Sequence, residues 1–416
     1  MQKKVIALAV AGLVSGAAFA QTNVTIYGVA DASFEGASAK SAHLSNLERD
    51  TFSRVSTNSS LIGFKGEEAL GNGLKAVFQF ESGVSFDSAG TLSTNRDSYV
   101  GLNHNKLGEV RLGNLTTPTR ALGSAVDMNA GATGPGGNSS LIGKVLGGNA
   151  MIAGTTSANA FDYGWNNGAT GYNSGFFDTR MTNAIAYISP TWSGFQVAAA
   201  YKAGEDKNLD ANNNSTRQVN TYGYDIGGTY TNGPIFVGLS YGKVDAGRDR
   251  NTYTSATAVA AAGPFPAGTS YAADESSILR LAGKYTFTGG HQISALYEQN
   301  KADVNWAAND HSKIKQTTWG IGGKFMATPT LALIGQYYQQ NDASISNNAP
   351  DGDTGAKLWE LGLEYSLSKR TMLKASYTQL NNGNDVANDF NVGAVGGNFG
   401  TGAKLEVWSA GVRHTF

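Results

Sequence analysis

Cysteine is absent from all 416 residues, which excludes disulfide frameworks and every thiolate-ligated metal centre. Charge is scarce as well. Only 15% of residues are Asp, Glu, Lys or Arg, and 31 basic against 32 acidic side chains give a formal charge of -1. That balance leaves no basic reservoir for a polyanion, so nucleic acid is not a partner. Proline numbers only 8, and beyond the first 20 residues no apolar run reaches the roughly 20 residues of a membrane-spanning helix. A 41% share of hydrophobic residues and a mean hydropathy of -0.25 are thin for the core that a soluble chain of this length builds. Abundance lies in 54 glycines and in aromatics at 10%, a pairing that suits an all-β protein and not a Leu/Ala-rich helical one.

The N-terminus reads as an export signal. Met1-Gln2-Lys3-Lys4 is a short positive region, Val5 to Val14 is apolar apart from Gly12, and Ala18-Phe19-Ala20 is a small-x-small cleavage site. The apolar run is too short to cross about 30 Å of hydrocarbon, so residues 1–20 are expected to be a signal peptide and 21–416 one mature domain. If that domain enters a membrane, it crosses as β-strands.

From Val24 onward, alternating stretches of about ten residues recur, with aromatics among the apolar members. Leu279, Leu281, Tyr285 and Phe287 share one face of Ile278–Phe287, opposite Arg280, Lys284 and Thr286; Trp359, Leu361, Leu363 and Tyr365 repeat the scheme. Alternation alone also fits a soluble sandwich. Connection lengths separate the two. Seven tight links, at 69–73, 105–108, 189–194, 231–234, 286–291, 327–330 and 366–370, interleave with eight long polar segments near 35–53, 85–95, 116–178, 204–217, 245–275, 301–312, 341–356 and 381–403. Strict short/long alternation belongs to a transmembrane barrel with tight periplasmic turns and long extracellular loops. Seven turns with both termini on the turn side predict a 16-stranded antiparallel transmembrane β-barrel. The third long segment, 116–178, is about twice the length of most others and is expected to fold inward as a constriction.

Parity then assigns the wall. Ile62, Phe64, Ala76, Phe78, Phe80, Val110 and Leu112 are expected to face lipid, leaving Lys65, Lys75, Glu81, Arg96 and Arg111 to face water, with Tyr27 and Asp31 on the first strand and Arg180 at the start of the sixth. In the last strand Trp408, Ala410, Val412, His414 and Phe416 share a face, and the chain ends on that aromatic.

Four segments carry a family resemblance: Val24-Thr25-Ile26-Tyr27-Gly28-Val29-Ala30-Asp31, the block from Gly63 to Ala76, Asn95-Arg96 to Gly101-Leu102, and Gly411-Val412-Arg413-His414-Thr415-Phe416. They resemble the Gram-negative general porins and are most similar to the trimeric porins of β-proteobacteria. The resemblance implies a homotrimer in the outer membrane, among its lipids and lipopolysaccharide, with a third loop in the pore. The channel it implies passes small hydrophilic solutes and ions passively, with no cofactor and no metal. It also implies that Phe416 is part of the signal read by the barrel-assembly machinery. In that family wall arginines stand opposite acids on the inner loop, which carries over to Arg96 and Arg180 on the wall and Asp127 on the loop. Leu61 and Asn114 stand where the family frequently has arginine, a departure that should weaken anion preference.

Enzyme motifs fail on context. Gly238-Leu239-Ser240-Tyr241-Gly242 matches a nucleophile elbow in letters but lies inside an alternating strand. Gly137 to Lys144 misses phosphate-loop spacing and has Val145 in place of Ser or Thr. Asp206 to Arg217 lacks the turn glycine and bidentate glutamate of a calcium loop. The five histidines have no ligand spacing. An autotransporter needs a passenger ahead of the barrel, and a barrel hydrolase needs Ser, His and an acid on one face. The nearer alternative is a substrate-specific outer-membrane channel, which an aromatic track along the lumen would favour.

Overall fold

A computed structural model describes residues 23–42, 48–85, 87, 96–145, 177–204, 222–245, 271–306, 310–346, 352–396 and 399–416. Sixteen antiparallel strands form one closed sheet. β1 is Asn23–Lys40; β2 comes in two pieces, Arg49–Thr57 and Leu61–Gly71; β3 is Leu74–Gly83, β4 Ser98–His104 and β5 Gly108–Thr116. Then follow β6 (Arg180–Ile188), β7 (Phe195–Lys202), β8 (Tyr222–Asn232), β9 (Ile235–Asp245) and β10 (Tyr271–Thr286). β11 is Gln292–Trp306 and β12 Asp310–Met326; β13 is Leu331–Gln340 with a short continuation at Ser344–Ile345. β14 (Ala356–Ser366), β15 (Thr371–Asn382) and β16 (Lys404–Thr415) complete the wall. β1 pairs with β2 on one side and β16 on the other, so no edge strand is left.

The break in β2 has a structural consequence. Ala32 pairs with Thr57 but Val29 pairs with Leu61, so β2 carries one residue more than its partner over that interval, with Ser59 at a φ of 54°. A one-residue bulge reverses which parity faces inward. Arg54, Ser56 and Asn58 point into the barrel above it, and Gly63 and Lys65 below. The β2–β3 hairpin turns on Asn72 and Gly73, both at positive φ (51° and 81°), where asparagine and glycine are the residues that fit.

Elsewhere the two faces separate as the alternation predicts. Phe64, Phe80, Val110, Leu112, Leu279, Leu281, Leu361 and Leu363 are all exposed on the outer surface. Two expectations need correction. The polar stretch 301–312 is not a long loop: β11 runs to Trp306 and β12 starts at Asp310. Polarity there marks the exit from the hydrocarbon layer, and the hydrogen-bonded ladder continues beyond it. The first external segment is likewise shorter than 35–53, because β1 extends to Lys40 and β2 starts at Arg49.

The closing seam is tight. Gly28 and Phe416 exchange backbone hydrogen bonds at 3.1 Å each. A Cβ on Gly28 would lie 2.3 Å from Phe416 Cζ and 2.8 Å from the Leu61 carbonyl oxygen. The ring could swing aside, but the carbonyl is fixed in the sheet. Gly28→Leu is therefore expected to destabilise the barrel by about 1–3 kcal/mol, read as a lower urea midpoint of the folded, heat-modifiable band; an unchanged midpoint would show that the seam has slack.

Candidate functional site

The segment after β5 turns into the barrel, where a nine-residue helix, α1 (Pro118–Val126), begins. Thr117 caps it, its hydroxyl accepting from Arg120 N at 3.2 Å, and Pro118 occupies the first turn, where its missing N–H costs nothing. The helix is held at both ends by the wall. Thr119 Oγ1 donates to Asp225 on β8 at 3.0 Å. Lys284 on β10 and Ser294 on β11 donate to the carbonyls of Ala125 and Val126 at 2.6 and 2.7 Å, satisfying groups that the helix C-terminus leaves open.

Below the helix sits a fully buried ion cluster. Arg280 donates to Glu298 at 2.9 Å, to Asp178 at 2.9 Å and to the Thr119 carbonyl at 2.7 Å. Glu298 also receives Gly143 N at 2.7 Å, so one arginine and one glutamate tie both ends of the inward segment to β10 and β11. Between these anchors Leu122, Val126, Leu141 and Ile142 pack against inward side chains of the far wall, including Ala282, Leu296, Tyr338 and Leu358. Burial of each leucine or isoleucine contributes about 2 kcal/mol before ordering costs.

The chain then crosses to β14 and β1. Asp127 accepts from Asn129 N at 2.8 Å and Asn138 N at 2.7 Å. Gln336 on β13 bridges Asp127 and Glu360 at 3.3 and 3.0 Å. Ala130 N donates to Glu364 at 3.0 Å and Thr133 Oγ1 reaches Asp31 at 3.4 Å. Asp31 is itself enclosed between Lys374 at 2.6 Å and Arg413 at 3.0 Å. The last external segment also folds inward: Phe390 and Val395 are buried, Arg54 holds the carbonyls of Gly393 and Ala394, and Asn391 N donates to Ser140 Oγ at 3.2 Å. Lys144, fully buried where the two inward segments meet, has its ammonium brought down to about 8 by burial, opposed by the nearby carboxylates of Asp389 and Asp178.

Among the described residues, the side these segments leave uncovered is the wall formed by β2 to β6. Its charges come in pairs. Arg96 donates to Glu81 at 3.2 Å, Arg180 to Asp97 at 2.8 Å and Arg111 to Glu109 at 2.6 Å. Tyr27 donates to Glu81 at 2.8 Å, and the Arg111 guanidinium lies 4.4 Å from the centre of the Tyr99 ring. Arg120, on α1, ion-pairs with Asp178 at 3.6 Å in the corner where the inward segment leaves the wall, with Arg96, Arg180 and Asp97 as its electrostatic neighbours.

A wide closed barrel narrowed by an inward segment is the architecture of a channel, and the comparisons agree. The family model described as Gram-negative porin matches residues 7–385. The chain belongs to the Gram-negative porins. Outer membrane porin protein 32 of Delftia acidovorans is 28% identical over 424 residues, covering the whole of both chains. An outer membrane porin protein of Bordetella pertussis is 26% identical over 406 residues, covering 90% of this chain and 93% of the relative. Among solved structures, the anion-selective porin from Comamonas acidovorans superposes with a TM-score of 0.66 at 23% identity, over 95% of this chain and all of that one. The protein is an outer-membrane porin: its strands span that membrane and its lumen is a water-filled path for passive diffusion of small hydrophilic solutes and ions.

The sequence-predicted residues distribute unevenly in this porin. Arg96, Glu81 and Arg111 line the open side, Arg180 sits at the base of the inward segment, and Lys65 is exposed with its ammonium 5.0 Å from the Tyr27 ring centre. Lys75 lies low on β3, paired with Glu67 at 2.7 Å. Asp31 faces inward but is fully buried beneath Thr133. Asp127 is not the acid across from Arg96, because its carboxylate is turned into its own loop; the acid on Arg96 is Glu81. Leu61 is buried on the inner face. Asn114 has a different role from charge, its Nδ2 donating to the Arg96 carbonyl at 2.9 Å and so fixing the backbone of that residue. Ser240, in the elbow-like pentapeptide, lies within β9 with its hydroxyl hydrogen-bonded to that of Thr119 at 3.0 Å. The 206–217 segment, residues 146–176 and residues 1–20, expected to be a signal peptide, lie outside the described residues. Sequence reasoning missed Asp97, Arg120, Asp178, Glu298 and Glu360; parity had placed Arg280 on a polar face without marking it as an anchor.

Burial pushes the Asp127 carboxyl from 3.8 up to about 6, against the lowering effect of hydrogen bonds from Asn138, Asn129 and Gln336. A raised acid means that the folded state holds the proton more tightly. Its contribution is complete below pH 4 and is lost as pH rises through about 6, worth at most about 3 kcal/mol. The protection factors of the Asn129 and Asn138 amides, exchange rates taken relative to the intrinsic rate at each pH, are expected to fall across that interval in the wild type and to stay flat in Asp127→Asn; superimposable profiles would remove Asp127 from the loop's seat.

Proposed function

We propose that this porin is a general diffusion pore with a weak preference for anions, working as a homotrimer among the lipids and lipopolysaccharide of the outer membrane. The observation that carries the preference is the gathering of three guanidiniums at one corner. Arg96 and Arg120 keep 21% and 24% of their side chains exposed, while their acids Glu81 and Asp178 keep 12% and 4%. In both pairs the arginine is the more exposed partner and the acid the more enclosed one. The third pair runs the other way, with Arg180 at 14% and Asp97 at 25%, so the field is modest. Arg120 stands in for the charge missing at Leu61, supplied from the inward helix instead of the wall. The anion-selective porin from Comamonas acidovorans shares this fold, which is consistent with the reading.

The trimer rests on the outer face of the early strands, where Ala30, Ala32 and Ala76 are small enough for close subunit approach. A trimer form is known for OmpT of Vibrio cholerae, which shares the fold at a TM-score of 0.60 and 14% identity. Phe416, 49% exposed at the turn end of β16, is assigned in this reading to the signal recognised by the barrel-assembly machinery. No catalytic step is assigned to any residue.

Planar-bilayer conductance and reversal potential across a salt gradient test this. Wild-type protein is expected to open in steps of three with modest anion preference. Arg96→Ala and Arg120→Gln should each lower the anion-to-cation permeability ratio by about two-fold, since each takes one fixed positive charge from the constriction. Unchanged reversal potentials in both variants would refute the anion reading, and steps of one would refute the trimer.

A further inference from the structure

We propose that the outer face of β11 to β14 holds the phosphate groups of outer-leaflet lipopolysaccharide through Lys301, Lys315 and Lys357. The assignment rests on the membrane partner named above and goes further by locating the contact. Six aromatics ring the outside of six successive strands: Tyr297, Trp319, Tyr337, Trp359, Tyr377 and Trp408. Tyr297 stands directly opposite Trp319, Tyr337 opposite Trp359 and Tyr377 opposite Trp408 in the strand register. Ring centres lie 5.5 Å apart for Trp319 and Tyr337 and 5.4 Å for Trp359 and Tyr377. Such a girdle marks where hydrocarbon gives way to headgroups.

The lysines lie just beyond it, towards the end of the barrel that carries the long segments. Lys301 follows Tyr297 by four residues, Lys315 precedes Trp319 by four and Lys357 precedes Trp359 by two. At about 3.3 Å per residue along a tilted strand, these offsets reach the phosphate layer. All three side chains are exposed.

Their electrostatics are unfinished within the protein. Lys301 and Lys315 stand directly opposite each other across β11 and β12, an arrangement in which like charges repel. Among the described residues none of the three has an ion pair or a side-chain hydrogen bond. On flanking strands the outward lysines are already neutralised, Lys243 by Glu275 at 2.8 Å and Lys404 by Glu406 at 2.7 Å. Lys313 is set aside because Asp303 stands opposite it. Towards the turn end of the same strands, the outer face presents Ile293, Phe325, Leu333, Leu363 and Tyr365, with no comparable cationic band. The exposed cations at that end, Lys369 and Arg370, lie in the tight β14–β15 connection, so on the strand faces of β11 to β14 the unpaired positive charge among the described residues lies towards the leaflet that carries the phosphorylated glycolipid.

The test compares purified wild type with Lys301→Gln/Lys315→Gln, with Lys357→Gln and with a turn-end control, Lys369→Gln/Arg370→Gln. Each is loaded with lipopolysaccharide, washed in detergent and assayed by native mass spectrometry for retained glycolipid. The double variant is expected to retain several-fold less and Lys357→Gln an intermediate amount, while the control matches wild type. Heat-modifiability shows that each variant is folded, and wild-type conductance and reversal potential show that the bore is untouched. Equal retention in the double variant overturns the proposal. Displacement of the glycolipid by phosphatidylglycerol at equal concentration overturns the choice of lipopolysaccharide. A wild-type protein that conducts nothing would count against the channel reading instead, whatever it retains.

Discussion

The backbone's need for hydrogen-bond partners in a solvent that offers none is the constraint from which the rest follows. Hydrocarbon cannot satisfy an N–H or a carbonyl, so a sheet in a membrane must have no edge. Here closure is made by β1, which pairs with β16 along most of its length and with both pieces of β2 on its other side. The final residue takes part, since Phe416 and Gly28 bond each other's backbone. Closure with sixteen strands leaves an interior too wide for wall side chains to fill. The protein therefore needs a second structure inside the first.

That inner structure has its own core. Leu122, Val126, Leu141, Ile142 and Phe390 would have no reason to be apolar in a water-filled tube, and the wall residues beneath them, Leu358, Leu380, Leu405 and Val407, would be equally out of place. Together they make the interior of β10 to β16 an apolar layer covered by two inward segments, and a second buried apolar cluster with Leu115, Phe177, Met181, Ala200 and Val244 lines the inner face of β5 to β9. The buried Arg280–Glu298–Asp178 cluster positions this layer. Such clusters gain little net stability because desolvation offsets attraction, but removing one partner strands a charge in a closed site. Geometry is what they enforce: Arg280 reaches the Thr119 carbonyl and Asp178 at once, so the entry and exit of the segment stay in register with β10.

The barrel was legible because its two signals are local: residue alternation of period two, and the contrast between tight and long connections. Trp408, Val412 and Phe416 on one face and Arg413 on the other read directly as outside and inside. Legibility ended where both faces of a strand are apolar. Leu358 beside Trp359, and Ile278 beside Leu279, carry no alternation, because one faces lipid and the other faces the inner core. The 301–312 stretch misled for the converse reason, since strands that rise above the membrane become polar on both faces while remaining strands. The constriction was half visible. Wall charges such as Arg96 and Arg111 follow from parity, but partners such as Asp97 and Asp178 lie at strand ends, where parity has no hold. Asp127 looked like the loop's acid because it is charged; only the fold shows that its oxygens are already committed to Asn129 and Asn138.

The charge at the inner corner comes from two sources, the wall and the inward helix. Two positions where the wall could have carried arginine hold Leu61 and Asn114, yet the corner still gathers three guanidiniums because α1 delivers Arg120 to it. Asn114 trades a charge for control of one, pinning the backbone that carries Arg96. A wall arginine is fixed by the sheet, whereas Arg120 is fixed by a helix whose seat depends on Arg280, Lys284 and Ser294. Any perturbation that shifts that seat moves Arg120 relative to Arg96 and Arg180 and changes their mutual repulsion. The position of the Arg120 charge in this porin is thereby coupled to the packing of the inward segment, which a pore lined by wall charges alone would not require.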